Sequence, residues 1–327
     1  MKVAFAGPFA VQLADPVRDN LTTDCAIITE PEEAAVAAHL ADIDVLVSMG
    51  LTPAMAAAAR RLRLVQVPGA GLDRVDRSAL SSKVQLANVY GHVAGIAEHA
   101  IGALIALTRS FARIDSRLRQ GHWESQFAVS TPPPPLWPEL TGKTLGILGF
   151  GHIGQAIAKR AAAFDMQVCA VRQQVPAETP PGMLFVGGPE QLDDVMQRAD
   201  VIVITLPLSD ATRNLLDARR LQLMKPTAVL INVARAEICD EAALYEALAS
   251  GAIAGAALDV WYRYPTTPEP LLPATQPFHE LENVLMTPHS SGWTEGMLAA
   301  RAEFIASNID RVARGEAPLN LVDLSTP

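Results

Sequence analysis

Short runs of β-branched and apolar residues alternate with alanine-rich stretches along this chain, and the series occurs twice. In the first half the expected strands are Val3 to Ala6, Cys25 to Thr29, Val45 to Ser48, Leu64 to Val67 and Val84 to Val89. In the second they are Thr144 to Leu148, Gln167 to Val171, Val201 to Leu206, Ala228 to Val233, Ala256 to Val260 and Val284 to Met286. Strands separated by helices cannot pair as hairpins. They need crossover connections, which lay helices on both faces of a parallel sheet. The expected class is α/β, with two doubly wound parallel-sheet domains. At 327 residues the chain also exceeds what one hydrophobic core organises.

The spacing of Ile101, Leu104, Ile105, Leu107 and Ile114 predicts one long connecting helix from Ala97 to Gln120. The stretch TPPPPLWP, Thr131 to Pro138, cannot continue a helix, because proline lacks an amide donor and fixes its own backbone angle. It is expected to be extended and exposed. A last helix, Glu295 to Arg314, has no strand after it and is expected to fold back onto the first unit. The domains then read as 1–97 plus 289–327, discontinuous, and 98–288.

Bulk properties exclude several classes. Half of the residues are hydrophobic and 19% are charged, which is too apolar for a disordered chain. The net charge is −9 with no long basic run, so nucleic acid is not an expected partner. Cys25, Cys169 and Cys239 lie far apart without CxxC spacing, which argues against disulfides and thiolate metal sites and for reduced core residues. No stretch reaches the roughly 20 apolar residues of a membrane span, and MKVAFAGPF reads as a strand. Neither a membrane partner nor a metal is expected, and a cytoplasmic location is.

Gly149-Phe150-Gly151-His152-Ile153-Gly154 fits GxGxxG, directly after one expected strand and before the helical stretch Gln155 to Phe164. In that context the first glycine allows a tight turn, the second lets a pyrophosphate approach the backbone, and the third packs helix on strand. The reading is a dinucleotide site. At the end of the next strand, where an acidic side chain usually accepts from the ribose hydroxyls of NAD, stands Arg172. An arginine cannot accept those bonds but can pair with a 2′-phosphate, so among NAD(P) cofactors NADP(H) is expected over NAD(H).

The segment GKTLGILGFGHIGQAIAKRAAAF, with INVARAEICDEAALYEAL, AGAALDVW and NVLMTPHSSGWT in the same order, resembles the D-isomer-specific 2-hydroxyacid dehydrogenase family, in particular its glyoxylate and hydroxypyruvate reductases. VPGAGLDRVD and IAEHAIGALIALTR extend the resemblance over nearly the whole chain. It implies a Rossmann cofactor domain inserted in a flavodoxin-like substrate domain, and hydride transfer between NAD(P)H and a small 2-keto or 2-hydroxy acid. Arg235 becomes the arginine that holds the carboxylate and carbonyl of the substrate, and His289 the acid/base. Ala70 and Gly71 stand in the loop whose amides hold the carboxylate. Leu206, Pro207, Val233 and Asp259 stand where the family lines the nicotinamide. The region ending in Gly121-His122-Trp123 implies a homodimer.

At the third catalytic position, where the family has a glutamate beside the histidine, two registers compete. Counting from Asp259-Val260 reaches Tyr264. Reading TPEPLL as the family's glutamate-proline-leucine segment, with a short insertion, reaches Glu269, and this register is preferred. With Tyr264 in place the imidazolium would lose a charged partner, and the pH optimum for reduction would move down. His92 and the other histidines are assigned to packing, surface or loop roles. Formate- or phosphite-type dehydrogenases and dinucleotide-sensing regulators of the same fold remain alternatives. A sensor would bind dinucleotide without turning over any 2-keto acid.

Overall fold

Strands β1 (Lys2–Ala6), β2 (Ala26–Glu30), β3 (Val45–Ser48), β4 (Leu64–Gln66) and β5 (Gln85–Ala87) pair in parallel in the order β2-β1-β3-β4-β5. Seven more form a second parallel sheet: β6 (Thr144–Leu148), β7 (Gln167–Val171), β8 (Met183–Gly187), β9 (Val201–Ile204), β10 (Val229–Asn232), β11 (Gly255–Leu258) and β12 (Val284–Met286). Their order is β12-β11-β10-β9-β6-β7-β8. The structure is a computed structural model that describes residues 1–129 and 136–323. Residues 131–135 of the proline-rich stretch lie outside the described residues.

Both sheets are doubly wound, as the alternation requires. The chain leaves β1 for β2 and returns to β3 on the other side, and it leaves β6 for β7 and β8 before returning to β9 beside β6. Each reversal creates a switch point at the carboxyl ends of two strands. Strands buried on both faces read as continuous apolar runs, and β9, β10 and β11 are buried throughout. Alternate residues supply the two faces of the second sheet. Leu148, Ile202, Leu230 and Leu258 enter one core, while Ile147, Val203, Ile231 and Ala257 enter the other.

The compact units are Met1–His92 with the residues from Trp293 onward, and Val93–Gly292. Both boundaries differ from the expected ones, for local reasons. The helix Val93–Thr108 buries its first full turn, Ile96 and Ala97, in a core of the second sheet, so residues 93–97 go with that unit. His289 also belongs to the second unit, because its loop is tied to the end of β11, as described below. The terminal helix Glu295–Ala313 places Ala302, Ile305, Ala306, Ile309 and Val312 against Val3, Phe5 and Val45 of the first sheet.

Two further expectations fail. The connecting helix is broken: Val93–Thr108 ends where Thr108 Oγ1 bonds back to the Leu104 carbonyl at 2.9 Å, and Ser110 turns left-handed (φ 48°) before a second helix, Phe111–Arg119. Strand β8 was not expected. The stretch between β7 and β8 contains no helix, so the alternation that marks the other strands is missing there. Cys169 and Cys239 are buried and Cys25 partly so, and all three are free thiols. Among the described residues no helix is long and apolar enough to cross a membrane, and no cluster of histidine, cysteine and carboxylate side chains has a metal-binding arrangement.

Candidate active site

The register of the second sheet lines up five strand ends. Met286 pairs with Leu258, Leu258 with Asn232, Asn232 with Ile204, and Ile204 with Leu148. The loops after β12, β11, β10, β9 and β6 therefore leave one edge side by side. Arg235, Asp259, His289, Leu206, Pro207 and the glycine loop all follow these ends.

At the switch point between β6 and β9 the site is made of backbone. Gly149 has φ 102°, and a Cβ there would sit 2.8 Å from the backbone of Thr205 and Leu206, so only glycine fits. Thr205 Oγ1 donates to the Gly149 carbonyl, fixing the two loops together. Gly154 packs the helix His152–Ala162 onto this turn, where a Cβ would collide with the Gly149 carbonyl and lie 3.1 Å from Ile147. Gly151 differs from both: it has ordinary extended geometry, and a Cβ on it would meet nothing. Open space over Gly151, in front of a helix start that no side chain caps, fits a dinucleotide pyrophosphate approaching the first-turn amides. His152 and Ile153 form that first turn. Val233 is buried beside it, while Leu206 is half-buried and Pro207 exposed.

Arg172 follows β7 directly. Its amide donates to the Gly187 carbonyl at 2.9 Å. Its half-buried guanidinium enters no hydrogen bond or ion pair among the described residues, so its donors are available to a phosphate.

At the β10–β12 end the site is made of side chains. Asn232, buried at the end of β10, accepts from the Ala234 amide at 3.0 Å and donates to the Arg235 carbonyl at 2.9 Å, so it shapes the turn that presents Arg235. Asp259, buried after β11, accepts from Thr287 Oγ1 at 2.7 Å and from the amides of Ser290 and Ser291 at 2.9 and 3.0 Å. Trp261 Nε1 donates to the Thr287 carbonyl at 2.8 Å. These bonds clamp the residues on both sides of His289, which sits at φ 56° in the left-handed region. For a non-glycine residue that conformation costs about 1–3 kcal/mol and persists only where its surroundings enforce it. The Asp259 carboxylate, expected beside the nicotinamide, is thus committed to the histidine loop. Thr287 Oγ1 also lies 3.4 Å from His99 Nε2, which brings a histidine assigned to surface or packing into the network.

Tyr264, not Glu269, reaches His289. The phenol oxygen is 2.8 Å from Nδ1, whereas Glu269 is exposed and accepts no hydrogen bond among the described residues. The expected register fails because the chain from Trp261 turns back locally: the Trp261 amide donates to the Tyr264 hydroxyl at 3.2 Å, which fixes the tyrosine three residues on. Burial pushes the phenol above its ordinary value, partly opposed by that amide and by the positive charge of Arg235. The tyrosine therefore stays neutral through the working range. Its hydroxyl, accepting from Trp261, has its one proton to give to Nδ1 of a neutral imidazole.

Ala70 and Gly71 belong to the first unit, in the loop after β4. Asn88 Nδ2 donates to the Ala70 carbonyl at 3.0 Å, and the Val89 amide to the Gly69 carbonyl at 3.1 Å, so the segment after β5 holds this loop. The anchoring roles of Asn232, Asp259, Trp261, Thr287, Ser290 and Ser291 were not anticipated. The small polar run Thr287 to Ser291 was a signal, but its acceptor lies on another strand.

The model of the D-isomer-specific 2-hydroxyacid dehydrogenase NAD-binding domain matches residues 101–291. A glyoxylate reductase of Pyrococcus furiosus is 35% identical over 289 residues, 86% of this chain and 83% of that one. Among solved structures, an acyclic imino acid reductase in complex with NADPH and D-Arg superposes with a TM-score of 0.82 at 25% identity, covering 99% of this chain and 100% of that one. An NADPH-dependent glyoxylate/hydroxypyruvate reductase of Sinorhizobium meliloti, in complex with NADP and malonate, does so with a TM-score of 0.80 at 28% identity, covering 99% and 97%. With a nicotinamide-dinucleotide domain of the matching fold and relatives along most of its length, the chain belongs to the D-isomer-specific 2-hydroxyacid dehydrogenases.

Proposed function

We propose that this protein reduces small 2-keto acids to 2-hydroxy acids, with NADPH preferred to NADH. The observation that carries the reading is the grouping of Arg235, Tyr264 and His289 on loops from adjacent strand ends of the dinucleotide-binding sheet. When bound, the reduced nicotinamide supplies the hydride. Arg235 holds the substrate carboxylate through a planar fork and draws charge onto the carbonyl oxygen. His289 delivers the proton to that oxygen from Nε2, since Nδ1 faces Tyr264. In the imidazolium state the phenol oxygen accepts from both Trp261 and Nδ1, using its two lone pairs. Asp259 has no part in the proton's path and keeps the histidine in its strained conformation.

The coenzyme preference rests on Arg172, whose guanidinium donors have no partner among the described residues. The solved reductase from Sinorhizobium meliloti is itself described as NADPH-dependent. A homodimer is part of the same reading: the helix Phe111–Arg119 buries no residue, and Phe111, Leu118 and Trp123 are half-exposed or more. The test is initial-rate oxidation of NADPH and NADH by purified protein with glyoxylate, hydroxypyruvate, pyruvate and phenylpyruvate in turn. Turnover is expected with at least one keto acid, faster with NADPH. Dinucleotide binding without turnover of any would overturn the reductase in favour of a sensing role.

A further inference from the structure

A half-buried histidine that the chemistry above leaves unused meets the loop of His289 from a neighbouring helix. His99 stands on the helix Val93–Thr108, three residues after Ile96 and four before Ala103, both of which are buried in one core with Ile231 and Ala257. Residues at that spacing share a helix face, so an apolar side chain at this position would extend the core. A histidine has a polar ring to satisfy instead, and its Nε2 lies 3.4 Å from Thr287 Oγ1. Thr287 is where the backbone of His289 is fastened. Its amide donates to the Leu258 carbonyl at 3.0 Å, and its carbonyl accepts from Trp261 Nε1 at 2.8 Å and from the His289 amide at 3.1 Å. Its hydroxyl donates to Asp259 at 2.7 Å, and Asp259 accepts in turn from the amides of Ser290 and Ser291. A shift of Thr287 is therefore a shift of the backbone that carries His289.

We propose that His99 is a positioning residue for His289, acting through Thr287 and Asp259. A threonine hydroxyl has one proton, and Asp259 takes it, so toward His99 the oxygen can only accept. The contact is then a hydrogen bond with the ring proton on Nε2. It completes a donor chain from His99 to Thr287 to Asp259 in which each bond polarises the next. The helix thereby backs a loop whose histidine sits in the left-handed region and needs its surroundings to keep it there. All of these residues belong to the second unit. The inference rests on the reading of His289 as the proton donor for its effect on rate, and on hydrogen-bond geometry alone for the brace itself.

Kinetics and spectroscopy test it together. His99→Leu is expected to lower kcat for glyoxylate and pyruvate alike by about tenfold, with KM and the NADPH Kd within about twofold, because a misplaced proton donor is felt in the transition state. His99→Gln, whose side-chain amide can donate to Thr287, should recover most of that loss. In His99→Leu, hydrogen exchange at the Ser290 and Ser291 amides should quicken by about tenfold while that of β6 is unchanged. In the wild-type protein, two-bond 1H–15N correlation should show His99 with a protonated Nε2. A histidine that merely filled space would be replaced by leucine without loss, so an unchanged kcat in His99→Leu overturns the proposal. A bare Nε2 overturns it as well, and decides the matter if His99→Leu fails to fold. If no keto acid is turned over, the reductase reading fails separately, and exchange still decides: unchanged rates at Ser290 and Ser291 overturn this inference.

Discussion

The two ends of the second sheet build their parts of the site from different materials. Beside β6 and β9 the determinants are backbone: a left-handed Gly149, a close-packed Gly154 and open space over Gly151. Beside β10, β11 and β12 they are side chains that meet across three loops, with Asn232, Asp259 and Tyr264 each bonding to a residue of its own or a neighbouring loop. A backbone site depends on residue spacing and forgives little. A side-chain site depends on which loop folds toward which, and it can exchange one partner for another while keeping the geometry. This explains how a tyrosine can stand beside His289 with the rest of the network intact.

The largest expected effect falls on the side-chain end. On the proposed reading Arg235→Ala should lower kcat/KM on the order of a thousandfold, since it would remove both the carboxylate fork and a charge facing the developing oxyanion. NADPH binding, measured by fluorescence titration, should be nearly intact. Loss of both together would mean that the two ends are not separable. The glycines test the other end. Gly151→Val places its side chain in open space, so Tm should hold while the coenzyme Kd rises about a hundredfold. Gly154→Ala should do the reverse and lower Tm by several degrees, because its methyl group meets the Gly149 carbonyl. Equal damage to Tm in both variants would refute the division of roles inside the loop.

The same contrast sets what could be read before the fold was known. Strands β3, β6, β7 and β12 have the bounds expected from their apolar runs, and the glycine loop lies where its spacing placed it. These are local properties. The choice of Glu269 over Tyr264 failed because the TPEPLL pattern was preferred to the count from Asp259-Val260, and neither registers that the Trp261 amide turns back to hold a tyrosine. Asp259 was assigned from the resemblance to the nicotinamide lining, and its part as the clamp of a loop that follows it by about thirty residues was not legible in the sequence. Arg172 lies between these cases, fixed by the end of β7 yet dependent on a side chain. Arg172→Asp should shift the NADPH-to-NADH ratio of kcat/KM toward NADH by about tenfold or more, as the 2′-phosphate loses its cation and the ribose gains an acceptor. An unchanged ratio would assign the selectivity to another side chain.

The smallest effect in rate is the most informative in mechanism. In the wild-type protein the Tyr264 partner of His289 Nδ1 is a phenol whose titration burial has moved above its ordinary value, so this partner brings no negative charge at working pH. On the proposed reading reduction needs the imidazolium, and its rate should fall as pH rises through the point where that proton is lost. Tyr264→Glu would set a carboxylate beside Nδ1, favour the charged ring and move that fall in rate to higher pH, by about one unit or more. Tyr264→Phe removes a hydrogen bond without adding charge and should leave the limb within a few tenths of a unit while reducing kcat modestly. The profile is read as kcat/KM for the best keto acid from about pH 5 to 9. If Tyr264→Glu leaves the limb in place, His289 is not the group that titrates. If Tyr264→Phe moves it as far as glutamate does, the phenol acts through more than a neutral hydrogen bond. Either variant leaves the loop that carries His289 in place, since that loop is held by Asp259 and Trp261.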